Sequence, residues 1–150
     1  MEKTKRAVSA AEQDQISRKL MTWINTCPEI PADVGVIQYE YLDTDLPAMA
    51  LSAIQSAYIT KKYILGGYAA EYQFKIIYRF KPGKSNDKRL KADEMLNAMG
   101  AWMDKNKPDL GDGKRVISAK ATTLASLFGR YEDGVEDHQI LAKMEYEVNV

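Results

Sequence analysis

The sequence has one histidine, His138, and one cysteine, Cys27. A lone cysteine excludes an internal disulfide and makes an intracellular setting the default expectation. With no second histidine or cysteine, neither residue has a partner for a metal site of the usual nitrogen and sulfur kind. Charge of one sign is also lacking, because 21 basic side chains balance 21 acidic ones. That balance argues against a protein whose main task is gripping phosphate backbones. It also leaves little repulsion to oppose self-association. No apolar run approaches the roughly 20 residues that span a bilayer. The stretch from Met1 to Ala10 is charged and lacks the apolar segment of a secretory signal, so it reads as a flexible tail. Internal repeats and low-complexity segments are absent as well.

What is present suits one domain over residues 1–150, since 45% of the residues are hydrophobic and can form a sizeable core. Ser9 reads as a helix N-cap, with Glu12 three residues on as in a capping box. Ile16, Leu20, Trp23 and Ile24 follow on one helical face, and Pro28 and Pro31 end the helix. Val34 to Leu42 reads as a strand and Asp43 to Met49 as a loop. From Tyr68 the alternation becomes strict. Tyr68, Ala70, Tyr72, Phe74, Ile76, Tyr78 and Phe80 fall on one face, with Glu71, Gln73, Lys75 and Arg79 between them. Period two over that length predicts a strand with one buried face.

The preceding run, Ala53 to Leu65, is also rich in strand formers, and Gly66-Gly67 can supply the two positive φ angles of a type I′ turn. A two-residue loop pairs Leu65 with Tyr68, Lys62 with Glu71, Thr60 with Gln73 and Ile59 with Phe74. Ala57, Ile59, Tyr63 and Leu65 then share the face of Tyr72, Phe74 and Ile76. Arms of about a dozen residues exceed the usual five or six, so the tip is expected to project from the body.

Pro82-Gly83 ends this hairpin. Ser85 caps a second helix that reaches about Asn106, with Leu90, Met95, Leu96, Met99, Trp102 and Met103 as its apolar face. Arg115 to Ala121 reads as a strand. Thr122 to Asp137 reads as a long connection, and His138 to Val148 as a final strand with its even positions inward. The order α-β-β-β-α-β-β predicts an α+β fold, an antiparallel sheet with two helices on one face.

Residues that carry chemistry are few. His138 can be a general base or ligand, but its place after Glu136 and Asp137 favours a polar residue at a strand end. Cys27 beside Pro28 favours a structural thiol over a nucleophile. Asp43/Asp45, Asp109/Asp112, Glu132/Asp133 and Glu136/Asp137 lie next to glycine or proline and read as solvated turn residues. The spacing around Gly134 does not match a calcium loop. Gly66-Gly67 lacks the flanking pattern of a phosphate cradle. The aromatic stripe of Tyr68, Tyr72, Phe74 and Tyr78 shares its face with Ile76 and Phe80, while Lys75 and Arg79 point away. That is core geometry rather than a base-stacking surface. The apolar set Leu124, Leu127, Phe128 and Tyr131 sits in the long connection. It can fold onto the core or dock into a neighbouring chain.

The segments "ITKKYILGGYAAEYQFKIIYR", "KPGKSNDKRLKADE" and "LFGRYEDGVEDHQIL" resemble the bacteriophage minor capsid protein family of phages infecting Gram-positive hosts. The resemblance spans roughly Gln15 to Val148, apart from Gly35–Met49. It implies a tail terminator of a long non-contractile tail, a hexameric ring that caps the tail tube and joins it to the head connector. The implied partners are copies of itself, the major tail protein and head connector proteins. DNA passes the lumen without being read, and no membrane, cofactor, metal or catalytic residue is implied. The place is the virion neck, reached by assembly in the host cytoplasm. Under that resemblance the contact residues are expected at the hairpin tip, Tyr63, Leu65 and Tyr68, and at Leu124, Leu127, Phe128, Arg130 and Tyr131. A head-completion or connector-adaptor protein of the same virion is the alternative, ahead of an RNA-binding module or a hydrolase built on His138.

Overall fold

The structure, a computed structural model, describes residues 6–55 and 57–149. Two strands of 13 residues each, β5 (Tyr68–Phe80) and β8 (Glu136–Val148), run antiparallel in full register, Tyr68 opposite Val148 and Phe80 opposite Glu136. Shorter strands lie end to end along both outer edges of this pair. On the β5 side, β3 (Ala48–Ala53) covers Phe74–Arg79 and β4 (Tyr58–Lys62) covers Tyr68–Glu71. On the β8 side, β6 (Lys114–Ala121) covers Ala142–Val148 and β7 (Ser126–Arg130) covers Glu136–Gln139. Two-residue strands finish the β5 side: β1 (Arg6–Ala7) beside β4, and β2 (Gln38–Tyr39) beside β3. The eight-stranded sheet is antiparallel except for the β2–β3 pair.

Both helices pack on the even face of β5 and β8, as the α+β reading expects. Helix α1 (Ala10–Ile24) is capped by Ser9, whose hydroxyl accepts from the Glu12 N–H, and it buries Ile16, Leu20, Trp23 and Ile24. Trp23 meets Phe74 edge-on at 6.4 Å, stacks on Trp102 of α2 at 5.3 Å and donates its indole N–H to the Asn106 carbonyl. Helix α2 (Asn86–Lys105) is capped by Ser85 and buries Ala92, Leu96, Met99, Gly100 and Met103. Leu90, assigned to that face by spacing, is 60% exposed instead, and the small Ala92 and Gly100 take the contact with the sheet. A Cβ on Gly100 would sit 3.0 Å from Ala121 Cβ and 3.1 Å from Ile140 Cδ1, so the helix lies close over β6 and β8.

Several expectations are corrected. The Glu12 carboxylate does not return to the cap; it accepts from the Tyr68 and Tyr146 hydroxyls. Only Gln38–Tyr39 of Val34–Leu42 is strand, because Gly35 and Glu40 take positive φ and Asn25 accepts from the Ile37 N–H. Ala48 and Met49 begin β3 rather than end a loop. Arg6–Ala7 form β1 and Val8 is buried, where the charge pattern suggests a flexible tail; residues 1–5 lie outside the described residues.

The hairpin register also differs. Lys62 faces Tyr68 and Tyr58 faces Glu71, with a bulge between Ile59 and Lys61. Both glycines do take positive φ. The loop is nonetheless longer, running from Tyr63 to Gly67 and closed by the Tyr63 N–H on the Gly67 carbonyl at 3.1 Å. The reason is competition for edges. β3 already occupies Phe74–Arg79, so β4 has only the first residues of β5 to pair with. An exposed Lys–Glu pair, worth only tenths of a kcal/mol, does not outweigh that. Glu71 accepts instead from Tyr58 and Gln73 and lies 3.4 Å from the Lys143 ammonium. Leu65, expected on the core face, is 99% exposed.

Candidate assembly surfaces

The first surface is the β4–β5 loop. Ile64 is 101% exposed and Leu65 99%, two adjacent aliphatic side chains open to solvent among the described residues. The base of the loop is fixed. Tyr63 donates to Glu147, which Arg115 also binds, and these two bonds hold the Glu147 carboxyl below its ordinary range. The Tyr68 hydroxyl donates to Glu12; burial and that bond push it well above the usual phenol range. Of the three residues expected at the tip, Tyr63 and Tyr68 are therefore half-buried supports, and Leu65 is the presented group. Ile64, a second presented group, escaped the sequence reading because period-two alternation across a presumed two-residue turn gave it no role.

The second surface is β7, in the segment read as a connection. Ser126 pairs with Gln139 and Arg130 with Glu136, with a bulge between Leu127 and Gly129. Leu124 just before it is 77% exposed, Leu127 44%, Phe128 54% and Tyr131 42%. Phe128 lies under the Lys75 ammonium, 4.6 Å from the ring centroid, and Tyr131 stacks against Arg79 at 5.2 Å. Both contacts are on the sheet face opposite the helices. So the cluster does not bury into the core but is split across the β7 edge: Phe128 and Tyr131 lie on the open face, while Leu127 pairs with His138 on the helix face and Leu124 borders α2. Close by, Gln139 Oε1 is buried with no hydrogen-bond partner among the described residues.

A buried polar cluster anchors this corner. Glu136 and Asp137 are 1% and 2% exposed, not solvated turn residues. As neighbours on a strand they point to opposite faces. On the helix face Glu136 accepts from Arg89 of α2 and from Arg130, both at 2.9 Å, and lies 3.1 Å from His138 Nε2. Burial raises the Glu136 carboxyl, but the bonds from His138, Arg130 and Arg89 outweigh it and hold the group below its usual range. On the open face Asp137 receives a two-pronged contact from Arg79 at 2.7 and 2.8 Å and the Tyr131 hydroxyl at 2.8 Å.

His138 is 3% exposed, packs against Phe80, and has Asp93 2.7 Å from its other nitrogen. Both ring nitrogens thus face carboxylates inside the protein, an arrangement that fixes β8 to α2 and offers no nitrogen to a substrate. The strand-end description of His138 therefore gives way to that of a buried cross-link. Arg130 joins the same cluster through Glu136 while remaining 59% exposed. Cys27 is buried, and desolvation pushes its thiol up, away from the reactive thiolate. Among the described residues no group of three or more histidine, cysteine or acidic side chains is placed to hold a metal ion, and no helix is long and apolar enough to cross a membrane.

No protein-family model and no curated protein matches the chain. Among solved structures, a chain from the "virion of native gene transfer agent (GTA) particle" is 13% identical and aligns over 88% of this chain and 97% of its own, with a TM-score of 0.60. A second solved chain, 14% identical over 92% of this chain and 96% of its own, has a TM-score of 0.47 and carries no weight here. At 13% identity the likeness is one of fold, and it extends over nearly the whole of both chains.

Proposed function

We propose that the chain is a structural protein of a bacteriophage virion and, within it, a tail terminator that forms a ring, caps the tail tube and joins it to the head connector. The observation that carries the reading is the whole-length likeness in fold to a chain of a virion particle. The sequence resemblance to minor capsid proteins points the same way. The shape of the molecule is consistent with it. Its long strand pair is fully paired, its polar cluster is closed, and its exposed apolar groups include two separate sets, at the β4–β5 loop and along the β7 edge. Two separate patches suit a heterologous interface, which closes into a ring when the rotation per subunit divides a full turn.

The test is the mass of the purified protein by native mass spectrometry, alone and with the major tail protein, with rings sought by negative-stain microscopy. Six-subunit rings that bind the end of tail tubes are expected. Leu124→Asp with Phe128→Asp is expected to abolish the rings and leave the monomer folded, because Leu124 is exposed and Lys75 sits ready to pair with a carboxylate at position 128. Tyr131 is left intact, since it is tied to Asp137. Rings that bind connector proteins but not tail tubes would transfer the protein to the head-completion class. A protein that stays monomeric under both conditions contradicts the proposal.

A further inference from the structure

The exposed loop and the opposite end of the same molecule are complementary in shape and charge. Beside Ile64 and Leu65 stand Lys61 and Lys62, both exposed; Lys61 lies over the Tyr63 ring, 5.6 Å from its centroid, and neither lysine has an ion-pair partner among the described residues. At the far end of β5 a groove of about 370 Å³ is lined by the apolar Leu42, Leu46, Tyr131 and Val135, with Asp43 and Asp133 on its rim. Asp45 and Glu132 flank these two, and all four carboxylates are exposed without an ion pair among the described residues. Asp43 and Asp133 only accept local backbone bonds, from Asp45 and Val135. The one arginine on the groove, Arg79, is committed to Asp137.

Loop and groove cannot meet within one copy. Tyr68 adjoins the loop and Arg79 lines the groove, and strand rise sets them about 35 Å apart. A neighbouring groove over Tyr78 and Phe80 is lined by Lys81, Lys88 and Lys91 against one carboxylate, Asp33, with Lys91 paired to Asp87, and so is the poorer match for a loop that carries lysines. The β4–β5 loop, out of reach of this acidic groove on its own copy, matches it from another copy.

We infer that the Tyr63–Gly67 loop of one copy seats Ile64 and Leu65 in the Leu42–Leu46–Tyr131–Val135 groove of the next, with Lys61 and Lys62 opposite Asp43 and Asp133. This rests on the ring reading and specifies its contact. Loop and groove are different surfaces, so the contact is heterologous, the kind that a cyclic ring requires. Fully exposed aliphatic groups supply the buried centre, and the rim charges set register and choice of partner.

Two measurements test it. Lys61→Glu with Lys62→Glu, and separately Asp43→Lys with Asp133→Lys, are each expected to weaken assembly at least tenfold by sedimentation, while the four changes together restore it. Thermal melts check that each variant folds. In the second measurement, copies carrying Leu65→Cys are mixed with copies carrying Leu46→Cys and treated with a short bismaleimide. Cross-linked dimers are expected in the mixture and not in either population alone; Cys27 is buried and stays silent. This arm decides the matter where a charge variant fails to fold. Wild-type assembly by both charge variants, or no cross-link in assembled mixtures, overturns the contact and leaves the ring standing. A wild-type protein that never assembles overturns both.

Discussion

Glu136 gathers Arg89, Arg130 and His138 around one buried carboxylate. Removing one member of a buried ion cluster costs more than the cluster contributes, because the others lose their partner while still desolvated. Glu136→Ala is expected to destabilise the fold by about 3 kcal/mol, toward the low end for such losses because both arginines reach solvent. Chemical denaturation measures it, and Glu136→Gln is expected to cost less.

The same group sets an acid limit. Its folded pKa lies below its ordinary value of 4.5, so its stabilisation is complete above that value and is lost as pH falls through the folded pKa. The denaturation midpoint is expected to hold from neutral pH to about pH 5 and then fall, with a shallower fall in Glu136→Gln. At this scale the sequence was misleading. Glu136 and Asp137 follow Gly134 and look like turn residues. The usable signal was the alternation running back from Ile140 through His138 to Glu136, which places an acid on the inward face where only a buried partner can balance it.

The elements were easier to read where one physical effect dominates. Strict alternation identified β5 and β8, and Ser9 and Ser85 with the apolar spacing identified both helices, because burial of one face decides those segments. Register and short strands were less legible. The pairing of β4 depends on what already lies along β5, and β7 carries its apolar residues on an open edge, where alternation has no buried face to mark.

The β4–β5 turn illustrates both sides. Gly67 was legible as a glycine needing positive φ, but its second constraint was not. A Cβ there would sit 2.5 Å from the Val148 carbonyl oxygen, so the loop is seated on the end of β8. Gly67→Ala is expected to destabilise by more than about 1 kcal/mol, and Leu65→Ala by less than about 0.5 kcal/mol, both read from chemical denaturation. A neutral Gly67→Ala would contradict that seating.

Across the whole molecule, the sheet is built on two paired strands of 13 residues each. Its central strands run end to end, its helices close one face, and its ends carry opposite offerings: aliphatic groups with lysines at one, an acidic apolar groove at the other. The most direct measurement is a cryo-electron microscopy map of the particle that contains this chain. Expected is a single ring of copies between the head connector and the last ring of the tail tube, each β4–β5 loop lying on its neighbour. A map that places the chain elsewhere in the particle, or shows no copy of it in the particle, would contradict the central claim.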